Sequence, residues 1–131
     1  MTQVADILRD ALGHLRVIDA DSAIDAIAAR DGIRALNMMV RRWEANGLAM
    51  GWMDVSSPED VLPLPAEAEE AAGYNLAVRL ASLYGADITP DIAVLARDGL
   101  AELRRDIKVA SPLSPDAGQC GGYNIRTDGY C

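Results

Sequence analysis

A chain of 131 residues and 14.0 kDa can bury one modest core but not two independent ones, so one domain with a tail is expected. A formal net charge of −8 and a pI near 4.5 argue against a protein that grips nucleic-acid phosphates, and sequence-specific DNA binding is not expected. No apolar run approaches the roughly 20 residues needed to cross a bilayer, and Met1 to Arg9 lacks the order of a secretory signal, which leads to the expectation of a soluble protein made in a cytoplasm.

Val4, Ile7, Leu8, Ala11, Leu12, Leu15 and Ile18 recur at steps of three and four, which predicts a first helix over about 3–17, entered at Thr2. After the polar break Asp19 to Ser22, Ser22 and Asp25 have the Ser-x-x-acid form of a capping box. The second predicted helix runs from there to about Asn46, with Ile24, Ile27, Ala28, Leu36, Met39, Val40 and Trp43 on its apolar face. Asp31-Gly32 softens its centre, and Asn46-Gly47 gives a left-handed stop.

Between 48 and 65 the pattern changes. Met50, Trp52 and Val55, then Val61-Leu62, flank a Ser-Ser-Pro-Glu-Asp turn, which predicts two short strands in a hairpin or loop insert. A lone hairpin is marginal and needs helices or a neighbour to pack on. The third predicted helix follows Pro63 and Pro65, with Glu67, Glu69 and Glu70 in its first turns, Leu76, Leu80, Leu83 and Tyr84 as its stripe, and Gly85 as its end. The fourth opens on Thr89-Pro90-Asp91, an N-cap, a first-turn proline and an acid, and carries Ile92, Leu95, Ala96, Leu103 and Ile107 on its face.

From residue 110 to 131 periodicity is lost among Pro, Gly, Ser, Asp and Asn, which predicts an extended C-terminal arm. Tyr123, Ile125 and Tyr130 interrupt its polar composition as anchors of a segment that orders on a partner. The fold class expected is mostly α: a four-helix domain over 1–109, an insert at about 48–65, and the arm.

Candidate chemistry is sparse, and no enzyme is expected. The single histidine, His14, has no Cys or Ser motif beside it and reads as a boundary residue. Glu67, Glu69 and Glu70 are close in sequence on one helix, where neighbours point in different directions and acids suit the N-terminus, so a glycosidase pair is the weaker reading. Asp19, Asp21 and Asp25 lack the glycine and distal glutamate of a calcium loop. Cys120 and Cys131 are too few for a zinc site and read as free thiols, with a late disulfide as the alternative. Gly118, Gly121 and Gly122 follow no predicted strand and open no helix, so they form no phosphate loop, and neither metal nor cofactor is expected.

The arginine pairs Arg41-Arg42 and Arg104-Arg105 lie near helix ends, where they complement the dipole or reach acids across a subunit interface. Trp43 reads as core. Trp52, between Met50 and Met53 in an insert with little interior, reads as the contact residue of a subunit or tail interface.

Leu36-Asn37-Met38-Met39 with Trp43 and Gly47-Leu48, then Pro65 ahead of Tyr74-Asn75-Leu76-Ala77, Tyr84-Gly85 and a last helix after Pro90, resemble the head-to-tail adaptors of tailed phages. The resemblance is to the tail accessory or packaged-DNA stabilisation group of short-tailed phages and covers about residues 4–109. It implies a virion structural protein without catalysis, placed in the neck between head and tail after assembly in the host cytoplasm. A ring of about twelve copies is then expected on the portal protein, extending the DNA channel, helping to retain packaged DNA and offering a platform to a downstream tail or nozzle protein. Double-stranded DNA passes through without sequence-specific binding, and no membrane is involved. The resemblance also implies that the C-terminal segment reaches the portal, where Tyr123, Ile125, Arg126 and Tyr130 are candidate contacts. The chain departs from the group in its short stretch between Gly47 and Pro65, where many relatives carry a longer strand-rich region. Two rivals belong to other classes: a small helical regulator that binds a partner helix in a groove, and a hydrolase using Glu67 or Glu70.

Overall fold

The computed structural model describes residues 1–19, 21–110, 123–124 and 129–130, with side-chain surroundings through 107. Among the described residues four helices follow in chain order: α1 (Val4–His14), α2 (Ala26–Ala45), α3 (Ala66–Tyr84) and α4 (Pro90–Ala110). Within the arm, β1 (Tyr123–Asn124) and β2 (Gly129–Tyr130) pair antiparallel, with Tyr123 opposite Tyr130 and Asn124 opposite Gly129.

α3 is the central helix and packs on each of the other three. Its buried positions are mainly small, Ala68, Ala71, Ala72, Gly73, Ala77 and Ala81, with Leu76 and Leu80 among them. Small side chains let neighbouring helices come close from more than one side, which a wall of leucines would prevent. At Gly99 on α4 a Cβ would stand 3.3 Å from the Cβ of Ala71, so α3 and α4 meet almost backbone to backbone. Gly32 plays the same part for α1 and α2, because a Cβ there would lie 2.7 Å from Cδ2 of Leu8. Leu8, Leu12, Leu36, Met39, Leu76, Leu80, Val4 and Val40 are each less than 2% exposed and form the centre of the core. Burying each such side chain contributes about 1.5–3 kcal/mol.

Helix ends follow local chemistry. The Gln3 N–H donates to the Asp6 carboxylate at 3.0 Å ahead of α1. α1 then closes in a Schellman arrangement: the Arg16 N–H donates to Gly13 O, the Val17 N–H to Leu12 O, and Arg16 holds a left-handed φ of 56°. Gly47 and Gly85 take positive φ after α2 and α3, as their positions in the sequence lead one to expect. Before α4, the Ile92 N–H reaches Oγ1 of Thr89 at 3.5 Å.

Four expectations are corrected. The 48–65 insert is a loop and no hairpin: it makes one isolated bridge, Val61 with Gln3, and its backbone bonds to side chains of α2 and to the first amides of α1 instead. Ser22 does not cap α2; its N–H donates to Asp19 O in a turn, and the helix begins after Asp25, whose side chain makes no capping bond. Ile27, Leu83 and Leu95 are exposed, because α3 buries its alanines in place of Leu83 and both α2 and α4 turn these positions outward. Trp52 does have an interior to pack on, since the insert lies along α2 with Val55, Leu62 and Leu64 joining the core.

Candidate interaction surface

The insert is held as a strap. Asn37, Arg41 and Glu44 occupy one face of α2 at steps of four and three residues, the spacing that lines up side chains along a helix. The Asn37 side chain donates to Val55 O at 2.9 Å and accepts from the Val55 N–H at 3.1 Å. The Arg41 guanidinium binds the Asp54 carboxylate through two nitrogens, Nε to Oδ1 at 2.8 Å and Nη2 to Oδ2. The Glu44 carboxylate accepts from the Trp52 N–H at 2.7 Å. Three side chains thus do for residues 52–55 what a partner strand does in a sheet, satisfying backbone and carboxylate groups at successive positions.

The far end of the strap caps α1. The Val4 N–H donates to Asp60 O at 2.9 Å, the Ala5 N–H to Pro58 O at 2.8 Å, and the Leu62 N–H to Thr2 O at 2.9 Å. The first amides of a helix have no partner within it, so these carbonyls fill a need that helix geometry creates. The turn is fixed by the Asp60 carboxylate, which accepts from the Ser56 and Ser57 N–H groups at 2.9 Å each.

The electrostatics follow from these bonds. The hydrogen bond to Asp54, and then its charge, hold the Arg41 pKa above the usual arginine value. Asp54 is held below the usual carboxylate range, first by the Arg41 hydrogen bond. Asp60 is lowered by its two serine N–H donors. The indole N–H of Trp52 is near enough to Asp54 to lower it slightly but reaches no well-formed hydrogen bond, so it stays a buried donor without a partner. On α3, burial and then Asp31 and Asp25 raise the Tyr84 hydroxyl.

The anticipated contact residues are spread over this frame. Met50 and Trp52 are half-buried against the core, whereas Met53 is 71% exposed on the strap. Arg41 is engaged by Asp54 within the chain, while Arg42, Arg104 and Arg105 are exposed and make no ion pair among the described residues. Tyr123 and Tyr130 face one another in backbone register; Ile125, Arg126, Cys120 and Cys131 lie outside the described residues, as do Gly118, Gly121 and Gly122. Asn37, Glu44, Asp54 and Asp60 were missed, although the spacing of polar groups at 37, 41 and 44 beside an insert with unpaired backbone was a usable signal.

The catalytic candidates do not converge. His14 stacks on Tyr74 with ring centroids 4.4 Å apart and an interplanar angle of 18°. Glu69 and Glu70 line the cleft of about 410 Å³ that holds this pair, between α1 and α3. Glu67 and Glu70 line a separate groove of about 220 Å³ between α3 and α4, with Asp98 and Glu102 opposite. Among the described residues no group of three or more His, Cys, Asp or Glu side chains is arranged to hold a metal ion, and no helix is long and apolar enough to cross a membrane.

No curated protein matches the chain in sequence. The family described as P22 tail accessory factor matches residues 2–119, a span that takes in all four helices and the strap. The chain belongs to the P22 tail accessory factor family and is a structural component of a phage virion that associates with other virion proteins.

Proposed function

We propose that this chain is a head-to-tail adaptor, a ring of about twelve copies that docks on the portal once DNA is packaged. The ring extends the DNA channel, helps retain the packaged DNA and offers the tail its platform, with no catalytic step. The observation that carries the reading is the family match across residues 2–119. Charge is consistent with it, since a protein of net charge −8 makes a channel wall along which DNA slides without being gripped.

Within this reading residues 1–109 are the adaptor domain and residues 110–131 the arm that reaches the portal through Tyr123, Ile125, Arg126 and Tyr130. Met53, Arg42, Arg104 and Arg105 are exposed and free to meet a neighbouring subunit or the next tail component. The test is the native mass of the full chain purified with the portal protein of the same virion, beside a chain ending at Val109. The full chain is expected as a portal-bound ring, and the shortened chain as a folded protein that no longer joins the portal. A stable monomer or one-to-one complex from the full chain overturns the adaptor reading; normal joining by the shortened chain overturns the role of the arm.

A further inference from the structure

Two unlike surfaces stand on the domain, one on α2 and one between α3 and α4. Along the outer face of α2, Arg30, Arg34 and Met38 follow at four-residue steps and line one shallow groove with Arg41. Met38 is 55% exposed, and Arg34 has no ion-pair partner among the described residues; Arg30 touches only the adjacent Asp31, at 3.5 Å. In a chain with 20 acidic and 12 basic residues, such a run of arginines around an open methionine is a local reversal of sign.

The second surface is the α3–α4 groove. Glu67, Glu70 and Glu102 line it without an ion-pair partner among the described residues, and Asp98 reaches only the adjacent Arg97, at 3.1 Å. Leu95, 42% exposed, is its apolar part, and the close approach of Gly99 to Ala71 makes its floor. Asp98 and Glu102 are four residues apart, as are Arg30 and Arg34, so both pairs are separated by about 6 Å of helix rise. An apolar centre with a charged rim on each side is the usual anatomy of a protein contact.

We infer that the outer face of α2 docks into the α3–α4 groove of a second copy of this chain, Met38 meeting Leu95 and Arg30 and Arg34 meeting Glu70, Asp98 and Glu102. The inference rests on the ring reading above and specifies its subunit contact. The two surfaces differ, so each copy uses one toward one neighbour and the other toward the next. That is a head-to-tail contact, the kind that closes into rings. α2 packs on α1 and α3 and carries the strap at Asn37, Arg41 and Glu44, while Arg30, Arg34 and Met38 stay exposed beside it.

Charge reversal tests it with full-length chains. One variant carries Arg30→Glu and Arg34→Glu; the other carries Glu70→Arg and Glu102→Arg. All four positions are exposed, and thermal melts of both variants check folding. Each variant alone, mixed with the portal, is expected to assemble at least about tenfold more weakly than the wild type, because like charges then face each other. An equimolar mixture of the two is expected to recover the ring mass, since every contact in an alternating ring is again complementary. Wild-type assembly by either variant alone, or no recovery in the mixture, overturns this contact while leaving the adaptor reading intact. Failure of the wild type itself to form a ring overturns both.

Discussion

Asn37 and Val55 exchange two hydrogen bonds, side-chain amide to backbone in both directions, at 2.9 and 3.1 Å. The pair is part-buried, and it is where the strap is tied to the middle of α2. Asn37→Leu keeps the bulk but strands a backbone donor and an acceptor, each loss costing about 1–3 kcal/mol when the group stays dry. With partial rescue by water, the variant is expected to lose about 2 kcal/mol, or about 6–10 °C in Tm for a chain of this size. A melt within 2 °C of the wild type, on the order of 0.5 kcal/mol, would show that the strap is not held here.

Gly32 offers a second test of how the helices come together. Alanine is the better helix former by about 1 kcal/mol, so propensity alone favours Gly32→Ala. Its Cβ, however, would stand 2.7 Å from Cδ2 of Leu8, a side chain with no exposure and little room to turn. Overpacking of this kind costs about 1–3 kcal/mol, so the expected net effect is a loss of stability. The double variant Gly32→Ala, Leu8→Val is expected to be more stable than the sum of the two single changes, by at least about 0.5 kcal/mol in urea denaturation. Strict additivity would sink the steric account.

The helices were legible because their ends carry local chemistry: Gly47, Gly85 and the Thr89-Pro90-Asp91 run act within a few residues of themselves. The strap was not, because apolar residues such as Val55 and Leu62 report burial and say nothing of what their backbone bonds to, and Val61 beside them is 49% exposed. α3 misled for a related reason. Large residues dominate a hydrophobic stripe, which singles out Leu83 over Ala68, Ala72 and Ala81, although a central helix needs small residues where neighbours close in. The two asparagines in the motifs that carried the resemblance have now a physical role. Asn37 holds the strap, and the Asn75 amide donates to Ala96 O at 2.9 Å and Ala71 O at 2.8 Å, tying α3 to α4.

Acid should loosen the strap before the rest of the domain. Asp60 is lowered below the ordinary 3.8 by the Ser56 and Ser57 N–H groups, and Asp54 is lowered by Arg41. A carboxylate with a depressed folded pKa binds its proton more readily in the unfolded chain. Its contribution is therefore present above the ordinary value and is lost as the pH falls through the depressed one. Urea midpoints are expected to fall between about pH 5 and pH 2, with a shallower fall in Asp60→Asn, which has no proton to gain. An identical acid slope in the variant would mean that Asp60 does not carry the effect.

Met53 and Trp52 are adjacent in sequence and unlike in what they do. Trp52 packs on the core with its N–H buried, so Trp52→Ala is expected to cost about 2–4 kcal/mol, and any loss of assembly in that variant follows from damage to the strap. Met53 is 71% exposed and touches little of its own chain, so Met53→Ala is expected to hold stability within about 0.5 kcal/mol. If the strap is the surface offered to a neighbouring subunit or tail protein, Met53→Glu weakens that assembly about tenfold or more with no change in Tm, because a charge is then buried at the contact. Assembly of Met53→Glu at the wild-type level would remove the strap from the contact and leave it the purely internal work of joining α1 to α2.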